Sequence, residues 1–135
     1  EGAVYTGNPG NRDVADEILS LGKAGMDVVY ECCGQQEAFD QAVEILKPGG
    51  KLIVVGIPEF DSWIVNAEKT RRKEIMIQFI RRQVDCVQHT LDLMESGQIV
   101  IDKMVTHRFP FAESKAAFDL VASYDDGVMK AMIDF

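Results

Sequence analysis

The chain has 135 residues, with 22 acidic and 14 basic side chains and a formal net charge of −8 at pH 7. This length is sufficient for about one hydrophobic core, and a composition of 47% hydrophobic and 27% charged residues argues against a fibrous or disordered chain. The negative charge argues against nucleic acid and anionic membrane surfaces as partners. The longest apolar run, residues 52–57, is too short to cross a bilayer and no leader-like segment opens the chain, so we expect a cytoplasmic protein.

Strand-like and helix-like segments alternate along the chain. Continuous apolar runs predict buried strands, and apolar residues three or four positions apart predict amphipathic helices. The predicted order is strand 3–5, helix 11–21, strand 26–30, helix 36–46, turn 47–50, strand 51–56, strand 74–80, helix 84–94, strand 104–109, helix 112–123 and strand 128–135. This alternation predicts an α/β fold whose parallel sheet is covered on both faces.

Three strand ends carry candidate ligand-binding residues, because a doubly wound sheet binds its ligand at the carboxyl ends of its strands. Glycines after the first two strands would let a ligand approach the backbone closely, and adjacent arginines after the third could neutralise a phosphate. The alternative interpretation is that the glycines only form turns and the arginines are only solvated. The candidates are Cys32, Cys33, Gly34, Val55, Gly56, Ile57, Phe79, Arg81 and Arg82.

The cysteines and histidines form no recognisable metal or catalytic motif. Cys86 and His89 could share a helix face, but zinc needs three or four ligands, and the further candidates (Cys32, Cys33 and His107) are scattered along the chain. Neither adjacent cysteine has a neighbouring base in the sequence that would activate it as a nucleophile. We therefore predict no metal site and no catalytic residue within this chain.

Two segments, residues 25–34 (GMDVVYECCG) and 42–56 (AVEILKPGGKLIVVG), resemble the nucleotide domain of zinc-dependent medium-chain alcohol and polyol dehydrogenases. Residues 105–111, together with 127–130, resemble that family's carboxyl-terminal return into its catalytic domain. The resemblance covers essentially the whole chain and is greatest to sorbitol dehydrogenase-like and L-threonine dehydrogenase-like members. It implies a partial doubly wound, Rossmann-type sheet followed by that return segment.

The resemblance also implies roles at the three strand ends. Residues 32–34 would line the cofactor cleft near the nicotinamide ribose, and the backbone of residues 55–57 would hold the nicotinamide carboxamide. The Phe-Arg pattern that starts at Phe79 would place one arginine on the pyrophosphate, and both Arg81 and Arg82 fit this role. The implied cofactor is NAD or NADP, and the sequence does not separate the two.

The resemblance divides the chain into residues 1–99, the latter part of an NAD(P)-binding domain, and residues 100–135, a segment of the catalytic domain. The stretch from Ser62 to Ala67 matches an edge strand that pairs across the family's two-fold dimer, which implies a homo-oligomer. The family's glycine-rich fingerprint and zinc ligands lie upstream of the matched part. We therefore expect a portion of a longer zinc-containing enzyme acting on a small alcohol or polyol, inactive as 135 residues alone.

Loss of the first two family strands would leave residues 3–5 without their usual neighbours. We therefore expect the fourth, fifth and sixth family strands to form the core sheet, with residues 3–5 outside their family position. Two alternatives stay open. One is the latter half of an S-adenosylmethionine-dependent methyltransferase, where a Leu-Lys-Pro-Gly-Gly turn before a strand is also common. The other is a non-catalytic dimerisation module that uses Trp63, Ile64 and Val65.

Overall fold

A computed structural model describes residues 2–22 and 24–135. Two compact units divide between Arg82 and Gln83. The first contains α1 (Val14–Leu21), β1 (Met26–Glu31), α2 (Gln36–Ile45), β2 (Leu46–Val54), α3 (Ala67–Arg72) and β3 (Met76–Phe79). The second contains α4 (Val87–Glu95), a 3-10 turn (Asp102–Met104), β4 (His107–Pro110), a 3-10 turn (Phe111–Glu113), α5 (Ser114–Ser123) and β5 (Ala131–Asp134).

The first unit is built on a parallel sheet with strand order β1-β2-β3. The predicted α/β fold with a parallel sheet is therefore confirmed. Helix α2 places its apolar side chains at three- and four-residue spacing, so they share the face that covers the sheet. Burial of each large side chain contributes about 1.5–3 kcal/mol. The buried cluster consists of Phe39, Ala42, Val43, Leu46, Leu52 and Val54.

The amino-terminal segment differs from the predicted strand. Residues 3–5 belong to no strand, and Val4 is fully exposed. The strand prediction is wrong here, because residues 3–5 pair with none of the described strands. The sheet of the first unit joins only β1, β2 and β3 among the described residues, and the expectation that residues 3–5 lie outside the family position stays a prediction. The first helix instead starts at Val14, where the Asp13 carboxylate accepts a hydrogen bond from the Asp16 amide (3.0 Å).

The predicted turn at residues 47–50 lies inside β2 as an irregularity of the strand. Met26 pairs with Leu46 and Val28 pairs with Lys51, so a two-residue step in β1 faces a five-residue step in β2. Gly49 has φ 75°, a left-handed conformation that glycine adopts without steric cost. The predicted glycine turn is therefore present. Because β1 pairs with β2 on both sides of it, the turn forms a large bulge within the strand.

Within one chain, residues 62–67 do not form the predicted edge strand, and its pairing across a dimer stays a prediction. Residues 62–66 have no regular secondary structure, and α3 begins at residue 67. The side-chain amide of Gln36 replaces a neighbouring strand: it donates to the Ile64 carbonyl (2.8 Å) and accepts from the Ile64 amide (2.9 Å). Trp63 stacks on Phe39 with ring centroids 5.1 Å apart. Residues 62–66 therefore pack beside α2, where Trp63 covers part of the hydrophobic core.

The second unit is a strand–helix–strand motif in which β4 and β5 pair in parallel and α5 connects them. Ala117 of α5 is buried, and an ion pair joins Arg108 to Asp134 across the two strands (2.5 Å). Both strands are shorter than the predicted 104–109 and 128–135. The division at residue 99 implied by the resemblance stays a prediction. Across residues 2–22 and 24–135, no helix is both long and apolar enough to span a lipid bilayer.

Candidate dinucleotide-binding edge

The three strands of the first unit end at one edge of the sheet, because they are parallel. Residues 32–34 follow β1, residues 55–57 follow β2, and residues 80–82 follow β3. The amide of Val55 donates to the Glu31 carbonyl (2.8 Å), and the amide of Ile80 donates to the Val54 carbonyl (2.9 Å). All nine candidate residues therefore lie at or directly beyond this one edge, which is where doubly wound sheets bind their ligands.

The two candidate glycines are in direct contact with the neighbouring loop. A Cβ atom added to Gly34 would lie 2.5 Å from the Ile57 carbonyl oxygen, and one added to Gly56 would lie 2.2 Å from the Gly34 nitrogen. Gly34 also has φ 72°, which disfavours any other residue. The sequence predicts that these glycines let a ligand approach the backbone closely. The structure shows that they also let two loop backbones approach each other.

Glu31, the last residue of β1, is the functional candidate that the sequence reasoning missed. Its side chain is buried, with 3% relative exposure. The carboxylate oxygen Oε1 accepts hydrogen bonds from the amides of Cys33 (2.9 Å) and Gly34 (2.6 Å). Its backbone carbonyl accepts from the amides of Val55 (2.8 Å) and Gly56 (3.0 Å). The available signal was an acidic residue that ends an otherwise apolar strand next to Cys-Cys-Gly.

The two adjacent cysteines are free thiols in exposed residues. The thiol of Cys33 donates a hydrogen bond to Glu31 Oε1 (3.1 Å). Burial of the sulfur, followed by this hydrogen bond, raises the pKa of Cys33 above that of an ordinary thiol. The reactive thiolate is therefore disfavoured near neutral pH, which suits a packing and hydrogen-bonding residue better than a nucleophile.

The third strand end carries the positive charge. Phe79, Arg81 and Arg82 are all exposed, and Phe79 retains 53% of its accessible surface. Arg82 has φ 52°, a left-handed conformation that costs a non-glycine residue about 1 kcal/mol. Neither arginine has an ion-pair or hydrogen-bond partner among the described residues. Both guanidinium groups are therefore available to an anionic ligand, and the structure does not separate them.

Parallel strands that end in close-packed glycine loops are typical of the nucleotide-binding class of α/β folds. Comparison with known proteins identifies the family. A sequence profile described as zinc-binding dehydrogenase matches residues 2–96. The chain therefore belongs to the zinc-binding dehydrogenase family.

Individual relatives agree with this assignment. The chain is 32% identical to an alcohol dehydrogenase of Cupriavidus necator over 136 aligned positions, which cover 98% of this chain and 37% of that protein. It is 28% identical to sorbitol dehydrogenase 1 of Saccharomyces cerevisiae, with coverage of 90% and 34%. A solved zinc-binding dehydrogenase from Sinorhizobium meliloti 1021 bound to NADP superposes with a TM-score of 0.84 at 27% identity, with coverage of 98% and 40%.

These comparisons confirm the resemblance to alcohol and sorbitol dehydrogenases that residues 25–34 and 42–56 indicated. The chain spans a little over one third of the length of the relatives it matches. The metal of the family does not fit the residues described here. Among residues 2–22 and 24–135, no group of three or more His, Cys, Asp or Glu residues could hold a metal ion. No chemical step of this chain is therefore derived through zinc.

Proposed function

We propose that this chain contributes the nicotinamide-binding part of an NAD(P)-dependent dehydrogenase that acts on a small alcohol or polyol. The observation that carries the proposal is the meeting of residues 32–34, 55–57 and 79–82 at the carboxyl edge of one parallel sheet, in a member of the zinc-binding dehydrogenase family. When bound, the nicotinamide ring would accept or donate the hydride. The residues of this chain would bind the cofactor and orient it.

The loop after β2 is suited to an amide-bearing ligand. The amides of Val55 and Gly56 are already occupied by the Glu31 carbonyl. No hydrogen bond among the described residues uses the carbonyls of Val55 and Gly56 or the amide of Ile57. Two acceptors and one donor on consecutive residues match a carboxamide, which has two N–H donors and one carbonyl acceptor. These groups would orient the nicotinamide.

The loop after β1 would form the wall beside the nicotinamide ribose. Gly34 is fixed there by its contact with Ile57 and by its hydrogen bond to Glu31, so the wall is rigid before the cofactor arrives. A rigid site loses less conformational entropy on binding than a mobile loop does. Cys32 and Cys33 would contribute surface to this wall, and no covalent step is assigned to them.

Arg81 or Arg82 would bind the pyrophosphate. A guanidinium group can donate two parallel hydrogen bonds to phosphate oxygens, and such charged hydrogen bonds contribute about 1.5–3 kcal/mol each. The lack of a protein partner for either arginine among the described residues supports this role. We keep both residues as candidates.

The proposed activity, cellular location and oligomeric state rest on the resemblance to the family. The resemblance places the zinc ligands upstream of the matched part, so we expect turnover from the intact natural polypeptide and none from these 135 residues alone. A cytoplasmic location is proposed with it. A homo-oligomer is also proposed, although residues 62–66 have no regular secondary structure within one chain. Family membership leaves the methyltransferase alternative without support.

The test is a binding titration of the intact natural polypeptide with NADH and NADPH, followed by a panel of alcohols and polyols assayed by formation of the reduced cofactor. Substitutions R81A and R82A are titrated in parallel. We expect the dissociation constant to rise about tenfold for the arginine that holds the pyrophosphate, equivalent to about 1.4 kcal/mol. The matched control is R71A, an exposed arginine on α3, for which the dissociation constant should stay within about twofold.

Two results would contradict the proposal. If the intact polypeptide bound neither dinucleotide, the cofactor assignment would be wrong; parallel titration with S-adenosylmethionine and determination of the oligomeric state would then examine the two alternatives. If R71A weakened binding as much as R81A and R82A, the positive charge would act only through the overall field of the protein. The residues at the end of β3 would then have no specific role.

A further inference from the structure

We propose that Glu31 is the positioning residue that fixes the two nicotinamide-facing loops relative to each other. This inference deepens the proposed function and rests on it. Glu31 ends β1 and precedes the loop of residues 32–34. Its hydrogen bonds extend both into that loop and into the loop of residues 55–57.

The carboxylate oxygen Oε1 holds the first loop. It accepts hydrogen bonds from two consecutive amides, Cys33 N (2.9 Å) and Gly34 N (2.6 Å), and from the thiol of Cys33 (3.1 Å). Hydrogen bonds to an ionised acceptor are shorter and about twice as strong as neutral ones. Two consecutive amides on one oxygen also force the chain to curl around the carboxylate, which gives the turn at Gly34 a defined shape.

The other two oxygens of Glu31, the backbone carbonyl oxygen and Oε2, lie against the second loop. The backbone carbonyl accepts from the amides of Val55 (2.8 Å) and Gly56 (3.0 Å). The carboxylate oxygen Oε2 has no hydrogen-bond partner among the described residues and lies 2.5 Å from where a Cβ of Gly56 would be. This oxygen therefore limits how far the second loop can move towards β1.

Burying a carboxylate destabilises the fold unless hydrogen bonds or charged partners compensate for the lost hydration. Among the described residues, every hydrogen bond that the Glu31 side chain accepts comes from Cys33 or Gly34 in the first loop, and the bonds to the second loop are made by its backbone carbonyl. Among the described residues, no hydrogen bond or ion pair joins it to the arginines after β3. Glu31 should therefore control the nicotinamide end of the site and leave the phosphate end unaffected.

The experiment compares two ligands of the intact natural polypeptide. NAD(P)H contains the nicotinamide end, whereas ADP, or its 2′-phosphorylated counterpart if NADPH is preferred, lacks it. Substitution E31Q keeps the shape of the side chain but removes its charge and replaces one acceptor oxygen by a donor. We expect the dissociation constant for the reduced dinucleotide to rise about tenfold. We expect the constant for the adenosine ligand to stay within about twofold.

The matched control is E37Q, which changes an exposed glutamate near the start of α2 whose one side-chain hydrogen bond among the described residues comes from Gln41. Neither dissociation constant should change in this variant. A merely structural role of Glu31 would weaken both ligands equally, so the split between the two ligands is the specific readout. Equal weakening, or no weakening, in E31Q would overturn the inference while the proposed function stands. Failure of the wild-type polypeptide to bind either ligand would overturn both.

A second measurement uses the wild-type polypeptide and does not depend on a variant that folds. The amides of residues 33, 34, 55 and 56 all donate to Glu31. They should exchange with deuterium together, at least about tenfold more slowly than the amides of the exposed residues 59 and 61. Exchange of residues 33 and 34 as fast as that of 59 and 61 would show that Glu31 does not hold the first loop, and would overturn the inference.

Discussion

Substitution K73M tests how the end of α2 is stabilised. The ammonium group of Lys73 donates hydrogen bonds to three backbone carbonyls, those of Val43 (3.0 Å), Glu44 (2.6 Å) and Leu46 (2.9 Å). The last carbonyls of a helix have no partner within the helix, and its carboxyl end attracts positive charge. The lysine therefore acts as a side-chain cap that arrives from 27 to 30 residues further along the chain.

Methionine keeps most of the length of the side chain and removes the charge and all three donors. Each hydrogen bond from a charged group contributes about 1.5–3 kcal/mol, and interaction with the helix dipole about 0.3–1 kcal/mol. Lys73 is only half-buried, so water can replace part of what is lost. We expect K73M to lower the free energy of opening at the end of α2 by about 2–3 kcal/mol.

Native-state hydrogen exchange in the intact natural polypeptide measures this local free energy directly. The control is K69M, which removes a lysine whose side chain, among the described residues, pairs with the half-exposed carboxylate of Glu44 alone and should cost less than about 1 kcal/mol. The reasoning would be refuted if K73M and K69M lowered the protection of the amides at residues 44–46 by the same amount.

Three further predictions concern the same unit. Substitution G34A should destabilise the fold by several kcal/mol more than G49A by urea unfolding, because both glycines have positive φ but only at Gly34 would an added Cβ clash with another backbone; equal costs would contradict this. Lys69 lowers the pKa of Glu44 through their hydrogen bond, so this pair stabilises the fold above the ordinary carboxyl pKa and loses its effect as pH falls through the lowered value. The stability difference between wild type and K69M should then vanish in acid, and a constant difference would argue against the ion pair. Alkylation of Cys33, monitored by peptide mass spectrometry, should require a higher pH than alkylation of a free model thiol, because the pKa of Cys33 is raised. If the alkylation rate of Cys33 rose at the same pH as that of the model thiol, or at a lower pH, the hydrogen bond to Glu31 would be contradicted.

Much of the fold could be predicted from the sequence because its signals are local and repeated. Apolar runs such as residues 52–55 predict buried strands, and the spacing of Phe39 and Val43 identifies the buried face of α2. Parallel pairing then follows from the alternation of strands and helices. That the candidate residues lie at one edge of the sheet follows from the same argument.

The features that the sequence did not predict have a common physical cause: each depends on a contact with a residue that is distant in sequence. Residues 62–66 have strand-like composition, but the side chain of Gln36 satisfies the backbone of Ile64 and no strand forms. The turn at 47–50 is absorbed into β2 because β1 pairs on both sides of it. The role of Glu31 depends on Gly56 lying beside it, and nothing within a short window of sequence encodes that neighbour.

The sheet of the first unit has consequences for handling the protein. Strands β1 and β3 each have one paired side among the described residues, so their outer backbone groups are open to another strand. Val28 and Tyr30 of β1 add exposed apolar surface, with 41% and 66% relative exposure. Open, apolar strand edges template intermolecular β-pairing. These residues expressed by themselves should therefore aggregate through β1, and a lysine in place of Val28 should reduce that aggregation while leaving the α2-covered core intact.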